Sequence, residues 1–413
     1  MASPKNQASG PTHLTETFPH GLSMASRSVH ADDYVNNHQA VAPPLHVSTT
    51  FRYSRNPDDL VPWTNPNPNN PHDSHIYSRD SAPNTTRFEA ILTSLIGAPT
   101  LTYTSGLAAF HAMLVFLNPK RIAIGGGYHG CHGVIKVLHK LNGLQQLELE
   151  SDADLAQLQK GDVIHVETPL NPTGEARDLA YYRAKADELG CYLTVDATFA
   201  PPPLMDPFVY GADVVMHSGT KYFGGHSDML CGVLSVRPDR AGEWLEDMKE
   251  ERLVLGGVMG SLEGWLGVRS LRTLELRVTR QSANAQALVD WFVEELAKEE
   301  GGVVKEVVER VVHASQQEAA KEEGGWLRKQ MPNGYGPVFA LYLKDQGLAK
   351  RLPSKLHLFH HATSLGGVES LIEWRAMSDK SCDKRLLRVS VGVEGWEDLK
   401  EDLIQGFEAL KVN

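Results

Sequence analysis

Cysteine is scarce. The 413 residues hold four, Cys131, Cys191, Cys231 and Cys382, with no C-x-x-C pair and no metal-like spacing. They read as reduced thiols of a cytoplasmic protein, not as a disulfide framework. Histidine is plentiful at 18, yet no H-E-x-x-H or similar spacing occurs. His360-His361 and the His129/His132 pair therefore read as pocket or packing residues, and no metal is expected. No apolar run approaches the ~20 residues needed to cross a bilayer. The polar start, Met1 to Leu22, lacks the apolar centre of a signal peptide and reads as a mobile tail, and Lys411-Val412-Asn413 is no address signal. Positive charge is outnumbered, 40 Lys and Arg against 51 Asp and Glu, for a net charge of −11. That balance argues against a nucleic-acid surface, which needs a concentrated basic face. What remains is a cytoplasmic globular chain, 41% hydrophobic, long enough for two or three domains.

Ala42-Pro43-Pro44-Leu45 and the β-prone Val47 to Phe51 read as an extended arm, and Arg55 to His75, crowded with Pro, Asn and Asp, as an irregular loop. From Thr85 to about residue 270, short apolar runs alternate with helical patterns. Ile122-Ala123-Ile124, Val163 to Val166, Tyr192 to Val195 and Val214 to Met216 are expected strands. Thr85 to Leu95, Ala108 to Leu117, Gly133 to Leu141 and Leu179 to Leu189 are expected helices. Strands that are apolar throughout and separated by helices predict an α/β fold with a mainly parallel sheet flanked by helices. Ser261 to Leu296 reads as one long helical stretch. Beyond it, Val303 to Val312, Val338 to Leu343 and Leu386 to Val391 read as strands of a smaller C-terminal α/β domain, and Gln316 to Gly325 as a solvated charged segment. The expected divisions are a tail and arm over 1–76, a cofactor-binding domain over 77–270 and a C-terminal domain over 271–413.

The run Val214-Val215-Met216-His217-Ser218-Gly219-Thr220-Lys221-Tyr222 ends an apolar strand in small hydroxyl residues and one lysine. That order suits a lysine held as a Schiff base to pyridoxal phosphate (PLP), with hydroxyls beside it for the phosphate; alone it equally describes a surface lysine past a strand end. A PLP ring must keep its pyridine nitrogen protonated, so a carboxylate should face it. Asp196, at the end of the strand Tyr192 to Val195, stands where an open α/β sheet places ligand contacts, although a strand-end turn aspartate looks the same. Thr104-Ser105-Gly106-Leu107-Ala108-Ala109 offers a hydroxyl, a glycine and a helix start for the phosphate, or simply a good helix cap. Tyr128, after Gly125-Gly126-Gly127, could stack on the ring; the triple glycine lacks the spacing of a dinucleotide-binding loop.

Taken together these motifs resemble the Cys/Met-metabolism PLP enzymes of fold type I: cystathionine γ-synthases, cystathionine β- and γ-lyases and methionine γ-lyases. The resemblance runs from about residue 25 to the end. It rests on Tyr77-Ser78-Arg79, Ser105-Gly106-Leu107-Ala108-Ala109, Glu167-Thr168-Pro169-Leu170-Asn171-Pro172, Asp196-Ala197-Thr198-Phe199, His217 to Tyr222 followed by Gly225-His226-Ser227-Asp228, Ser364-Leu365-Gly366-Gly367-Val368-Glu369-Ser370-Leu371, and Arg388-Val389-Ser390-Val391-Gly392. It implies the PLP-dependent transferase fold and PLP as cofactor. Lys221 would carry the cofactor and shuttle protons, Asp196 would pair with the pyridine nitrogen and Tyr128 would stack. Ser105, Gly106, Leu107, Ser218 and Thr220 would hold the phosphate, with Asn171 and Thr198 also on the cofactor. Tyr77 and Arg79 would reach the phosphate of a neighbouring subunit, so that active sites are shared within a homotetramer, a dimer of dimers. Arg388 would take the α-carboxylate of a small amino-acid substrate, with Ser364 assisting through its backbone.

The chain departs from the family pattern where the far end of the substrate is expected. Thr363 stands where γ-synthases carry glutamate and bacterial β-lyases tyrosine, and Gly133 where cystathionine-handling enzymes often carry arginine. His132, His129 or Lys136 could compensate for the missing charge. Glu373-Trp374-Arg375-Ala376-Met377-Ser378-Asp379 replaces the usual H-P segment, a variant associated with fungal members. The S-L-G-G-V-E-S-L form with Val368 resembles γ-synthases most. It implies γ-replacement or γ-elimination on an activated homoserine of the O-acyl type or a related sulfur amino acid, with a nucleophile that could be smaller than cysteine or a carbon nucleophile. Cystathionine β- or γ-lyase activity, and a PLP-binding member without catalysis, are the alternatives.

Overall fold

A computed structural model of the protein describes residues 21–35, 40–60, 62 and 75–411. Nearly all of the expected tail, most of the loop expected over 55–75 and the last two residues lie outside that range. Two sheets organise the described chain. The larger has seven strands: β1 Thr100–Tyr103, β2 Arg121–Ile124, β3 Gln145–Glu148, β4 Val163–Glu167, β5 Tyr192–Asp196, β6 Val214–Ser218 and β7 Gly232–Val236, in the order β1-β7-β6-β5-β4-β2-β3. From β6 through β5, β4 and β2 to β3 every pairing is parallel, whereas β7 runs antiparallel to both β6 and β1.

The apolar strands are buried on both faces, and their alternation feeds two cores. Val163, Val214 and Met216 pack on one side, with Phe110 and Met113. Ile164, Val166, Val195 and Val215 pack on the other, with Phe88 and Ile91. This is the side-chain period of a strand covered above and below. The covering helices include α1 Met24–His30, α2 Pro83–Ile96, α3 Gly106–Leu117, α4 His129–Asn142 and α5 Leu179–Leu189, followed by α6 Ala241–Leu255 and α7 Ser261–Leu271.

The stretch read as one helix from Ser261 to Leu296 is two. After α7 the chain turns at Arg272 and Thr273, and α8 runs Leu274–Ala297. The smaller sheet has the order β10-β11-β12-β9-β8, from β8 Val308–Val312, β9 Val338–Leu343, β10 His360–His361, β11 Leu371–Trp374 and β12 Leu386–Ser390. Its own core gathers Phe292 of α8, Phe339, Leu341, Val389 and Phe407. The run read as a strand from Val303 begins as a helical turn, Val303–Val307, before β8. A valine-rich run of that length satisfies either period. The segment read as solvated over 316–325 is partly anchored: Ala320 is buried, and Gln317 exchanges hydrogen bonds with the backbone of Ala176 at 2.7 and 3.0 Å.

Helix α8 binds the two sheets through buried polar side chains. Arg277 donates to the carbonyl of Tyr222 at 2.8 Å, Gln281 to that of Gly367 at 2.6 Å, and Asn284 to that of Gly392 at 3.1 Å. The strand-end loop that carries Lys221 and the loop before β11 are therefore tied to one helix. At the other end of the chain, the fully buried carboxylate of Asp32 meets Arg87 at 2.7 Å and Arg272 at 2.7 Å, clamping the segment after α1 onto α2 and α7. Replacing Asp32 with Ala leaves two guanidiniums without their counterion. The expected cost is roughly 3–5 kcal/mol, read as a lower urea midpoint.

Candidate active site

The parallel register sets two carboxylates side by side, because Glu167 at the end of β4 pairs with Asp196 at the end of β5. Both are buried. Glu167 accepts backbone N–H bonds from Tyr128 and Asn171, each at 2.8 Å, so it places the aromatic ring at the start of α4 and the amide on the following loop. Burial, then the neighbouring Asp196, raises the pKa of Glu167. Burial raises that of Asp196 also, against the two bonds from Thr198 that lower it. The Thr198 hydroxyl donates to Asp196 Oδ1 at 2.5 Å and accepts from the backbone N–H of Ser218 at 2.8 Å. Among the described residues no donor meets Asp196 Oδ2.

Opposite stands the N-terminus of α3. The Ser105 hydroxyl caps it by accepting from the N–H of Ala108 at 3.1 Å. A Cβ on Gly106 would lie 3.1 Å from the side chain of Ser218, close enough that any side chain there would require Ser218 to give way by a few tenths of an ångström. Gly232, not singled out from sequence, faces the same constraint more severely, since its Cβ would lie 2.0 Å from the Ser105 carbonyl oxygen. Its strand, the antiparallel β7, carries no local sign of this contact.

After β6 the chain turns through Gly219 and Thr220 to Lys221. The Lys221 Nζ donates to Ser364 Oγ at 2.8 Å. Burial, then the Arg388 guanidinium, pushes its pKa down to about 8, with Glu373 opposing. Ser364 sits in the left-handed region at φ 82°, a strained conformation for a residue with a side chain, and its carbonyl accepts from Arg388 at 2.9 Å. Arg388 is itself buried. It donates to Asn171 Oδ1 at 3.1 Å, pairs with Glu373 Oε2 at 2.7 Å, and is lowered to about 10 by burial.

A cavity of about 480 Å³ joins these groups. It is lined by Ser105, Gly106 and Leu107 from α3, by Tyr128, Asn171 and Asp196 from the parallel strand ends, and by Thr198, Ser218, Thr220 and Lys221 from the β5–β6 edge. Thr363, Ser364 and Arg388 close it from the smaller sheet. Three expected site residues lie elsewhere. Tyr77 and Arg79 line a separate surface hollow with Val47, Gly256 and Glu263, where Arg79 donates to the Leu253 carbonyl at 2.8 Å. Gly133 is exposed on α4 and does not line the cavity. Of the groups considered as replacements for its charge, His129 lines the cavity, while His132 bonds Gln146 at 3.2 Å and Lys136 is exposed. Two hydroxyls are already engaged within the protein. That of Thr198 is held between Asp196 and Ser218, and that of Thr220 lies within hydrogen-bond distance of the Cys231 backbone N and O.

Sequence reasoning gave no role to Glu167, Glu373 or Arg375. Glu167 lay inside a quoted motif, and its position opposite Asp196 is a matter of strand register. Glu373 and Arg375 lie in the E-W-R segment, where charged residues suggest exposure; both are buried, at 2% and 3% exposure, and Arg375 lines the cavity.

These features define an enzyme site fitted to a phosphorylated, cationic aromatic cofactor. A buried carboxylate has an unmet oxygen, a glycine-lined helix end presents backbone N–H groups for a phosphate, and a desolvated lysine stands between them. The chain belongs to the Cys/Met metabolism PLP-dependent enzyme family, whose model matches residues 25–408. It is 30% identical over 407 residues to cystathionine gamma-lyase of Saccharomyces cerevisiae, covering 93% of this chain and 97% of that one. Against cystathionine gamma-synthase of Escherichia coli it is 30% identical over 412 residues, covering 94% and 97%. The solved structure of a methionine gamma lyase from Micromonospora echinospora superposes with a TM-score of 0.79 at 30% identity, over 94% of this chain and all of that one. The protein is therefore a PLP-dependent enzyme of transsulfuration-type C–S chemistry with the α/β fold of these relatives, and its cofactor is pyridoxal 5'-phosphate.

The amine should titrate as its surroundings dictate. In protein stripped of cofactor, acylation of Lys221, followed by mass spectrometry, should rise with pH through a midpoint of about 8. Glu373 stabilises the ammonium form, so Glu373→Gln should move that midpoint to lower pH.

Proposed function

We propose that this enzyme catalyses γ-replacement or γ-elimination on an activated homoserine of the O-acyl type, or on a related sulfur amino acid, in the manner of a cystathionine γ-synthase. One observation carries the reading: Lys221, Asp196 and Arg388, three groups from separate parts of the sequence, line one cavity with the amine held near neutrality. The Ser364 to Leu371 motif with Val368, and the near full-length similarity to the Escherichia coli γ-synthase, support the γ-carbon as the reacting position.

Pyridoxal phosphate supplies, when bound, an electron-accepting ring that stabilises negative charge at the substrate Cα. Lys221 would tether it and Asp196 Oδ2 would hold the proton on its ring nitrogen. Tyr128 would cover one face, and Asn171 would lie along the ring edge. Ser105, Gly106, Leu107, Ser218 and Thr220 would surround the phosphate, the Thr198 hydroxyl acting through Asp196. Arg388 would bind the substrate α-carboxylate and so fix which Cα bond faces Lys221. With its pKa lowered, Lys221 Nζ can take the Cα proton and hand it on, and a second proton loss at Cβ frees the substituent on Cγ. Tyr77 and Arg79, remote from their own chain's cavity, would complete a neighbour's phosphate site, making the working unit at least a dimer and, as a pair of dimers, a homotetramer. The four free cysteines support a reducing, cytoplasmic setting.

The substrate test is direct. With O-acetylhomoserine and cysteine the enzyme should form cystathionine, or 2-oxobutyrate when the nucleophile is withheld. Pyruvate and homocysteine as the main products from cystathionine would establish a β-lyase instead, an activity carried by a Lactococcus lactis relative 32% identical over 350 residues. Lys221→Ala should remove both the visible absorption of bound cofactor and at least ~10³-fold of turnover; a variant with normal turnover would overturn the assignment.

A further inference from the structure

We propose that Arg375 is a specificity residue that binds a second anionic group, carried at the far end of the substrate or on the incoming nucleophile. This rests on the reading above of an amino-acid substrate whose α-carboxylate is taken by Arg388.

Two guanidiniums reach this side of the cavity, and they are not equally engaged. Arg388 has Asn171, Ser364 and Glu373 as partners. Arg375 uses only Nη1, which lies 3.2 Å from Glu373 Oε2 and 3.0 Å from Ser378 Oγ. Its Nε and Nη2 are buried with no hydrogen-bond partner, although the residue lines the cavity and is 3% exposed. Buried guanidinium donors without acceptors are costly, so an anion in the cavity toward which the guanidinium turns gains what the free protein forgoes. Glu373 cannot be that partner, because Oε2 already serves both arginines and Oε1 accepts from Ser378 at 2.6 Å. One carboxylate between two guanidiniums offsets only one of them; a further acidic group near Arg375 is Asp379, whose carboxylate bonds Ser381.

Position separates the two roles. Arg388 sits beside Lys221 and Asn171, at the floor. Arg375 lies beyond the end of β11 with Ser378, and Asp379 next to it feels both Arg375 and His129. Arg375 lines the same cavity as His129, Thr363 and Ser378. The matching ligand is an amino acid with a second carboxylate or phosphate several bonds from its Cα. Two sources share that chemistry: a leaving group derived from a dicarboxylic or phosphoric acid, or a nucleophile that itself carries a carboxylate. The cation missing at positions 363 and 133 is supplied here from a different loop.

The experiment uses the holoenzyme. L-2-aminoadipate and L-norleucine have the same chain length and differ in the distal carboxylate. Calorimetry with wild-type enzyme should show aminoadipate binding on the order of tenfold to a hundredfold more tightly, the range of one charge-assisted contact. Arg375→Ala should erase that preference, and Arg375→Lys should retain part of it. Two kinetic comparisons identify the source. O-succinylhomoserine against O-acetylhomoserine with a common nucleophile reads the leaving group, and cysteine against cysteamine with a common ester reads the nucleophile. The kcat/KM ratio should exceed tenfold in one of them and collapse in Arg375→Ala. Equal affinity of wild-type enzyme for the two amino acids overturns the proposal, as does an Arg375→Ala variant that loses affinity for both alike, since Arg375 would then serve the α-carboxylate. Failure of the underlying reading looks different: wild-type protein without the visible absorption of bound cofactor, or with no affinity for either amino acid.

Discussion

A single buried carboxylate makes the electrostatics of this cavity tenable. Glu373 stands between Arg388 and Arg375, with Lys221 nearby, and without it three cations would share one water-poor space. Like charges at such separations repel by several kcal/mol even at moderate effective dielectric. Glu373 offsets part of that repulsion, yet it neutralises only one of the two arginines. Burial, and then the Arg388 guanidinium, lower the pKa of the lysine amine, while the arginine that Glu373 leaves unneutralised adds positive charge to the cavity wall.

The other constraint is mechanical. Lys221 belongs to the large sheet, whereas Ser364 and Arg388 belong to the small one, so catalytic geometry depends on how the sheets are held together. Helix α8 provides this with apolar side chains in both cores, Leu274 and Val278 in one and Leu288 and Phe292 in the other, and with polar ones: Arg277, Gln281 and Asn284 satisfy carbonyls on both sides of the junction. Such networks fix position because each unmet partner would be penalised. Ser364 shows how tightly the loop is determined, since its left-handed backbone persists while its hydroxyl and carbonyl are both engaged.

The central strands and their helices were legible because their apolar runs are buried on both faces. β1, β3 and β7 were not. They mix Thr, Gln, Ser and Gly with apolar residues, and β7 pairs antiparallel with β1 and β6, away from the strand–helix alternation of the central sheet. Arg272-Thr273 breaks the long helix without glycine or proline to announce it. In the site, Asp196 could be singled out because it ends an apolar strand, and Lys221 because it follows another by three residues. Arg375 and Glu373 could not, because burial of a charge depends on partners distant in sequence. Gly133, a position inferred from resemblance, is exposed on its helix and does not line the cavity.

The Thr198 hydroxyl, spanning from Asp196 to the backbone of Ser218, makes the seat for the cofactor a gauge cut from the sheet itself. The Asp196 carboxylate, proposed for the ring nitrogen, and the strand end at Ser218, proposed to lie beside the phosphate, are on adjacent strands, whose spacing of about 4.8 Å is fixed by backbone hydrogen bonds. No rotamer choice or loop movement can stretch that gauge. Thr363 and Arg375, proposed to face the substrate's far end, stand on loops of the other sheet, outside it. Inheritance can thus rewrite what the enzyme accepts, loop by loop, while the dimension that seats its cofactor stays put.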